Sequence, residues 1–257
     1  MEKYAEKITS RTNPVCVHLK KLGANKSYRY QHKEFLCEGE KLLNEAIISG
    51  IQITKILTSK SVNFTPPQDI NIYNTTPGLI DSLSPLKNTQ GLLFSCKIPE
   101  PPDCDHNTGI HILLDNIQDP GNVGTIIRTA NAFDIETIIL TEGCADIYNL
   151  KTIRASMGSL FKQKVLYMND DKIFELKQSD IKFIAAVNNT EAVNIRDSNL
   201  QTGIIIMGNE GQGISQNLLS LCDEFIKIPI SHNCESLNVA VAASIIMWEI
   251  KSFNMGN

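Results

Sequence analysis

The sequence predicts an α/β protein in two parts: a small α/β unit, then a larger, mainly parallel sheet with helices on both faces. Two observations carry this. From residue 110 onward, short apolar runs alternate with stretches of helical periodicity, the pattern of parallel strands joined by crossover helices. Between the parts lies residues 98–109, IPEPPDCDHNTG, with Pro99, Pro101 and Pro102 within four positions. Proline fixes φ and removes a donor, so this stretch sustains neither helix nor ladder and is read as a linker. The expected domains are therefore 1–97 and 110–257.

Each element follows from its local pattern. FLCEG (35–39) opens as a strand, and EKLLNEAIISG (40–50) sets Leu42, Leu43, Ala46 and Ile47 at helical spacing before stopping at Gly50. ITKILTS (53–59) alternates as a strand, DINIYN (69–74) is a second, TPGLIDSLS (76–84) a short helix and GLLFSC (91–96) a closing strand. Beyond the linker, IHILLD (110–115) is an apolar run ending in Asp115, a buried-strand pattern. TIIRTANAFD reads as helix, ETIILT as strand, SLFKQKVLYM as a helix end plus a strand, and DDKIFELKQS as an amphipathic helix. IKFIAAV and GIIIMG are strands, NLLSLCDE a helical turn, EFIKIPI a strand, and SLNVAVAASIIMWEIKSF a long C-terminal helix starting at Ser236.

Composition narrows the class. Forty-two per cent apolar and 20% charged residues describe a globular chain. Its longest apolar runs, such as VAVAASIIMW, fall short of the roughly 18 to 20 residues that a membrane span needs. The polar start MEKYAEKITSRTNP is not a secretory signal. Seven cysteines without a CxxC pair make neither a disulfide framework nor a zinc site; they read as reduced thiols of a cytoplasmic protein. The net charge of −4 is unevenly spread: residues 1–33 hold eight lysines and arginines against two glutamates, +6, which leaves −10 for the remainder. A basic N-terminal arm on an acidic body suits contact with phosphates. A solvated extension explains the same charges equally well.

In parallel α/β sheets, ligands sit at the carboxyl ends of strands. That rule selects the loops 116–124, 208–214 and 231–237. The first turns through Pro120 and Gly121 into a helix expected from about Val123, bringing Asn122 and Arg128 onto one short segment. Asn122 reads as a helix cap and Arg128 as a surface cation unless both serve a ligand. The second, GNEGQGIS, holds three glycines in six positions, which let a backbone approach a ligand closely and expose amides. It is neither a dinucleotide fingerprint nor a GxxxxGK phosphate loop, and Glu210 inside it would repel a phosphate. The third places Ser236 at the expected N-cap of the long helix, with Asn238 two residues on.

In this order and spacing, NVGTIIRTANAF, IMGNEGQGIS and IPISHNCESLNVAVA resemble the motifs of the SpoU-type (TrmH-like) RNA 2′-O-ribose methyltransferases of the SPOUT superfamily. RASMGSLF, with Ser156 and Gly158, is similar to the family segment between the first two, and FLCEGEKLLNEAI and NTQGLLFSC to its small substrate-binding domain. The resemblance covers nearly the whole chain. Asp134 departs from a frequent glycine at a helix end.

The resemblance implies methyl transfer from S-adenosylmethionine to a ribose 2′-hydroxyl in structured RNA, without metal, by a homodimer with a deep trefoil knot in residues 203–257. The implied cofactor site comprises Gly208, Asn209, Glu210, Gly211, Gly213, Ile228, Ile230 and Leu237. The implied catalytic residues are Asn122, shaping the pocket; Arg128, proposed in the family as base; Ser236, touching a phosphate; and Asn238, positioning Arg128. Since guanidinium stays protonated, Arg128 is expected to orient the phosphate and polarise the hydroxyl. Ribosomal RNA is the expected substrate; tRNA, or a catalytically silent RNA-binding assembly factor, are the alternatives.

Overall fold

The computed structural model describes residues 6–60, 70–104, 106, 108–198 and 200–255, with side chains through residue 253. Asp69 of the predicted DINIYN strand, and Glu2 and Lys3 of the basic segment, lie outside the described residues. The chain forms two compact units, Met1–Glu100 with Asp146–Phe161, and Pro101–Ala145 with Lys162–Asn257. Asp146–Phe161, in the second half of the chain by sequence, thus packs with the first unit.

The first unit holds β1 (Glu6–Lys7), α1 (Pro14–Ala24), α2 (Lys26–His32), β2 (Glu34–Glu38), α3 (Glu40–Ile48), β3 (Ile53–Thr58), β4 (Asn71–Asn74), α4 (Pro77–Leu83), β5 (Leu92–Lys97) and, from the inserted stretch, α6 (Leu150–Ser156). Its mixed sheet runs in the order β1-β4-β3-β5-β2, with β5 antiparallel to both neighbours. Phe35, Leu43, Ile56 and Phe94 are fully buried on one side, joined by Ile153 of α6. Leu19, Leu22, Leu36 and Leu93 fill the other, joined by Leu150. Each such side chain contributes about 1.5–3 kcal/mol.

The expected basic arm is helical from Pro14. Cys16, Leu19 and Leu22 recur every three residues and are buried, an inward stripe concealed among lysines. Arg29 is not a phosphate-facing charge at all. It is 3% exposed; its Nε and Nη2 donate to Asp146 Oδ2 at 2.9 and 2.5 Å, and its Nη1 donates to the Leu22 carbonyl at 2.7 Å. Its partner lies 117 residues away, so no local pattern could reveal it.

The second unit holds β6 (Ile110–Leu114), α5 (Pro120–Ala132), β7 (Thr137–Leu140), β8 (Lys164–Tyr167), α7 (Asp170–Lys177), β9 (Phe183–Ala186), β10 (Val193–Asn194), β11 (Gly203–Met207), α8 (Gln216–Leu219), β12 (Glu224–Lys227) and α9 (Val239–Met255). Its seven strands are all parallel, ordered β10-β12-β9-β11-β6-β7-β8. The central pair β6 and β11 is wholly buried, as the unbroken apolar run of β11 and that of β6, interrupted only by His111, demand. From β6 the chain runs on to β7 and β8 on one side, whereas β11 leads to β12 on the other. The strand order therefore reverses between β6 and β11, where crevices open in such sheets. Among the described residues no helix is long and apolar enough to cross a membrane.

Two helix starts differ from expectation. α5 begins at Pro120, not near Val123: Asp119 accepts from the Asn122 amide, and Pro120 occupies the first position, where its missing N–H costs nothing. α9 begins at Val239, and its cap is Asn238 rather than Ser236: Asn238 Oδ1 accepts from the amides of Ala240 (2.9 Å) and Val241 (3.3 Å).

Candidate active site

Each of the three loops leaves the carboxyl end of a strand or enters a helix of the second unit, and side-chain hydrogen bonds tie them into one site. The glycine-rich loop after β11 is closed by reciprocal backbone bonds between Asn209 and Gly213, at 3.0 and 2.8 Å. Asn209 Oδ1 accepts from Gly211 N (2.8 Å) and Gln212 N (3.3 Å), while its Nδ2 donates to the Asn116 carbonyl at 2.9 Å. The Asn209 side chain is thus spent on the loop, and only its position lines the cavity beside it. Gly213 adopts φ +72°, a left-handed conformation that favours glycine. Gly208 is required for a different reason. A Cβ there would sit 2.2 Å from the Gly213 carbonyl carbon and 2.3 Å from Ile214 N. The loop's exit is pinned by Ser215 N, which donates to Asp115 Oδ2 at 2.7 Å.

A chain of three polar side chains then links the loops. Because Asn238 Oδ1 caps α9, its Nδ2 must face outward, and it donates to Asn122 Oδ1 at 3.1 Å. Asn122 must in turn present its own Nδ2, which donates to the Glu210 carboxylate. An ionised carboxylate only accepts, so each donor meets an acceptor and both amide orientations follow from the network. Sequence reading missed this pairing of Glu210 with Asn122, which are 88 residues apart.

A cavity of about 400 Å³ opens beside this chain, within the range of about 300–1,000 Å³ usual for small-molecule sites. Of the residues that the sequence singles out, Gly208, Asn209, Glu210, Gly213, Ile228, Ile230, Ser236 and Leu237 line it; Gly211 does not. Sequence reading missed the loop after β9, residues 186–189, which also lines it. The strand-end rule applied to IKFIAAV would have pointed there. Asn188 Nδ2 donates to the Glu235 carbonyl at 2.8 Å, and Lys227 Nζ to the Asn189 carbonyl at 3.1 Å, so this loop braces the third motif. Ile228, Ile230 and Leu237 give the cavity an apolar side, while Glu210 and Ser236 give it a polar one. That amphipathic lining fits a nucleoside-sized ligand carrying a positive centre.

Arg128 stands apart. It lies on the exposed face of α5 and makes no hydrogen bond or ion pair with any described residue. Asn238 therefore does not hold Arg128, as was expected; its amide is used by Asn122 and the first turn of α9. The Ser236 hydroxyl is exposed and likewise unengaged among the described residues. A larger cavity of about 730 Å³ lies beyond the carboxyl ends of β6, β7 and β8. Its lining carries Asp115, Glu142, Asp170 and Asp171 and no cation, which suits neither phosphate nor a nucleotide backbone. Among the described residues, no cluster of His, Cys, Asp or Glu could hold a metal ion.

Comparison with known proteins is consistent across three kinds of likeness. Residues 109–248 match the model of the SpoU rRNA methylase family, and residues 13–93 that of the MRM3-like substrate binding domain. The 23S rRNA (guanosine(2553)-2′-O)-methyltransferase RlmP of Bacillus subtilis is 32% identical over 96% of this chain and 99% of its own. The mitochondrial rRNA methyltransferase 3 of Xenopus laevis is 26% identical over 90% of this chain and 72% of its own. Among solved structures, the AdoMet-bound rRNA methyltransferase of Sinorhizobium meliloti aligns with a TM-score of 0.86 at 26% identity, covering 97% of this chain and 98% of that one.

Proposed function

The chain belongs to the SpoU rRNA methylase family, and from that membership we infer that it is an S-adenosylmethionine-dependent methyltransferase acting on a ribose 2′-hydroxyl of RNA, with ribosomal RNA as the substrate. One observation within the molecule supports this most: Glu210, Asn122 and Asn238 join three distant loops into a single polar chain at the rim of a nucleoside-sized cavity.

The cofactor fits that cavity, and it supplies an electrophilic methyl group when bound. Gly208, Glu210, Gly213, Ile228, Ile230 and Leu237 would hold it, Ile228, Ile230 and Leu237 offering apolar surface, the glycine loop bare backbone and Glu210 a carboxylate. Positioning is the larger part of what remains, because a ribose hydroxyl is a weak nucleophile that must lose its proton as it reacts. Arg128 carries a permanent charge and no competing partner among the described residues, so it is available to bind the substrate phosphate and polarise the 2′-hydroxyl. Ser236, whose hydroxyl is likewise unengaged among the described residues, would meet the same phosphate. Asn122 shapes the pocket through its bond to Glu210, and Asn238 fixes Asn122.

We further read residues 1–97 as the RNA substrate-binding domain, 98–109 as the linker and 110–257 as the catalytic domain, apart from Asp146–Phe161, which pack with the first unit; residues 203–257 form a trefoil knot. The working form is a cytoplasmic homodimer. One face of α9 supports that: Val241 and Trp248, two helical turns apart and so nearly aligned, are 48 and 55% exposed, and the Trp248 ring centroid lies 5.8 Å from that of Phe133. Monomers rarely leave so contiguous an apolar face in water. Light scattering on Trp248→Arg should read half the wild-type mass; an unchanged dimer contradicts this interface.

The function is tested by tritium transfer from labelled S-adenosylmethionine into separate rRNA and tRNA pools. Incorporation into rRNA alone is expected. Incorporation into tRNA alone reassigns the substrate, and none into either, with cofactor bound, sinks the enzymatic reading.

A further inference from the structure

The outward face of α1 and α2 carries charges and rings that the methyl-transfer site does not use. From Lys7 to Lys33 the sequence contains no acidic residue. Lys20 and Lys21 are exposed and pair with no carboxylate among the described residues; Lys21 Nζ lies 5.3 Å from the Tyr28 ring centroid. The rings of Tyr28 and His32 are 4.1 Å apart at 37°, and His18 packs edge-on against both at 5.6 and 5.4 Å. Tyr30, 40% exposed, carries Lys26 5.9 Å above its ring.

This cluster is braced from beneath. The Tyr28 hydroxyl bonds His18 Nδ1 at 3.0 Å, and His18 Nε2 bonds Glu34 Oε2 at 2.9 Å. Glu34, 6% exposed, also accepts from Lys97 (2.8 Å) and Thr54 (3.2 Å). Rings held this way are pre-organised, so a ligand stacking on them orders little that is mobile. Meanwhile the alternation of cations with aromatic faces matches a chain that alternates phosphate with base.

We propose that the exposed face of α1–α2 is a docking surface for an unpaired stretch of the RNA substrate, with Lys20 and Lys21 on phosphates and a base stacked on His32. Unpaired RNA rather than a duplex follows from the rings. Bases inside an A-form helix offer no face to stack on, whereas loops and bulges do. This surface rests on the reading of the chain as an RNA methyltransferase.

Fluorescence anisotropy of a short labelled oligoadenylate against full-length chains tests it. Lys20→Gln/Lys21→Gln should weaken binding and reduce the slope of log affinity against log salt by about 1.4, two phosphate contacts at about 0.7 each on a single strand. His32→Ala should weaken binding roughly tenfold while leaving that slope unchanged. These side chains are exposed, so thermal melts should match wild type. Both variants binding within twofold of wild type would overturn the proposal, as would poly-glutamate binding as tightly as RNA, the mark of a surface for acidic protein. Methyl transfer measured alongside separates the two readings. A wild-type chain that methylates no RNA fails the enzymatic reading, and this surface is then judged on binding alone. A wild type that methylates rRNA while the double lysine variant keeps its RNA KM fails this surface.

Discussion

Replacing Gly208 by alanine probes the glycine loop more sharply than any charge change, because the clash is with backbone that cannot rotate away. The new methyl would lie 2.2 Å from the Gly213 carbonyl carbon, 2.3 Å from Ile214 N and 2.5 Å from the Gly213 oxygen, where ordinary contact begins at 3.4 Å. The two arms of the loop must therefore part by about 1.2 Å, the shortfall between 3.4 and 2.2 Å. Those arms are joined by the reciprocal Asn209–Gly213 bonds at 3.0 and 2.8 Å, and the outgoing arm is anchored by Ser215 on Asp115 at 2.7 Å. Stretching the first two past bonding distance costs about 1 kcal/mol each, and loosening the charge-assisted third about another 1 to 2. A total near 3 kcal/mol corresponds to a roughly hundredfold loss of cofactor affinity, if the ligand must restore the loop on binding. Isothermal titration with S-adenosylmethionine and a thermal melt read both terms. Affinity and melting temperature unchanged within twofold and a degree or so would refute the argument that loop geometry shapes the cavity.

Three further outcomes follow. Arg128→Ala should leave the melting temperature and cofactor affinity intact while slowing methyl transfer by about 100- to 1,000-fold; loss of cofactor binding in titration would contradict its proposed role. Asn238→Asp keeps an oxygen to cap α9 but loses the donor to Asn122, so stability should hold while kcat falls. Asn238→Ala should in addition lose about 1 kcal/mol of stability with the cap, and a wild-type kcat for the aspartate variant would dismiss the polar chain. Glu34 should set an acid limb of stability: burial raises its pKa, but hydrogen bonds from His18 and Lys97 and the charges of Lys55 and Lys97 prevail and hold it at about 2, below the ordinary 4.5. A folded-state pKa below the unfolded one stabilises above about pH 4.5, and this contribution is lost as the pH falls toward 2. It amounts to about 1–3 kcal/mol once the partial exposure of its lysine partners is allowed for. Denaturant melts across that window should show Glu34→Gln lacking this component, and parallel curves for the two chains would exclude it.

β11 was legible because a buried parallel strand leaves an unbroken apolar run, and β6 nearly so, its run interrupted only by His111; β1 and β10, of two residues each, carry no pattern to read. α1 was not legible, because its stripe of Cys16, Leu19 and Leu22 is diluted by Lys20 and Lys21, and charge dominates the eye. The start of α9 was misjudged by two residues because Ser236 and Asn238 are almost equally good caps; only the amides of Ala240 and Val241 decide between them. Pro120 read as a turn residue, yet proline in the first helical turn has the same local signature. In the site, the glycines announced a close approach but not its object, which is the loop's own returning backbone. The Glu210–Asn122–Asn238 chain was illegible in principle, since hydrogen bonds across 88 and 116 residues belong to the fold and not to any window of sequence.

The methyl group is expected on a ribose oxygen. After incubating unmodified rRNA with S-adenosylmethionine and the full chain, complete nuclease digestion and mass spectrometry of the nucleosides should reveal one new 2′-O-methylated nucleoside, absent with Arg128→Ala. A base-methylated nucleoside in its place, or no methylated product from a chain that binds both substrates, would rule out ribose methylation by this site.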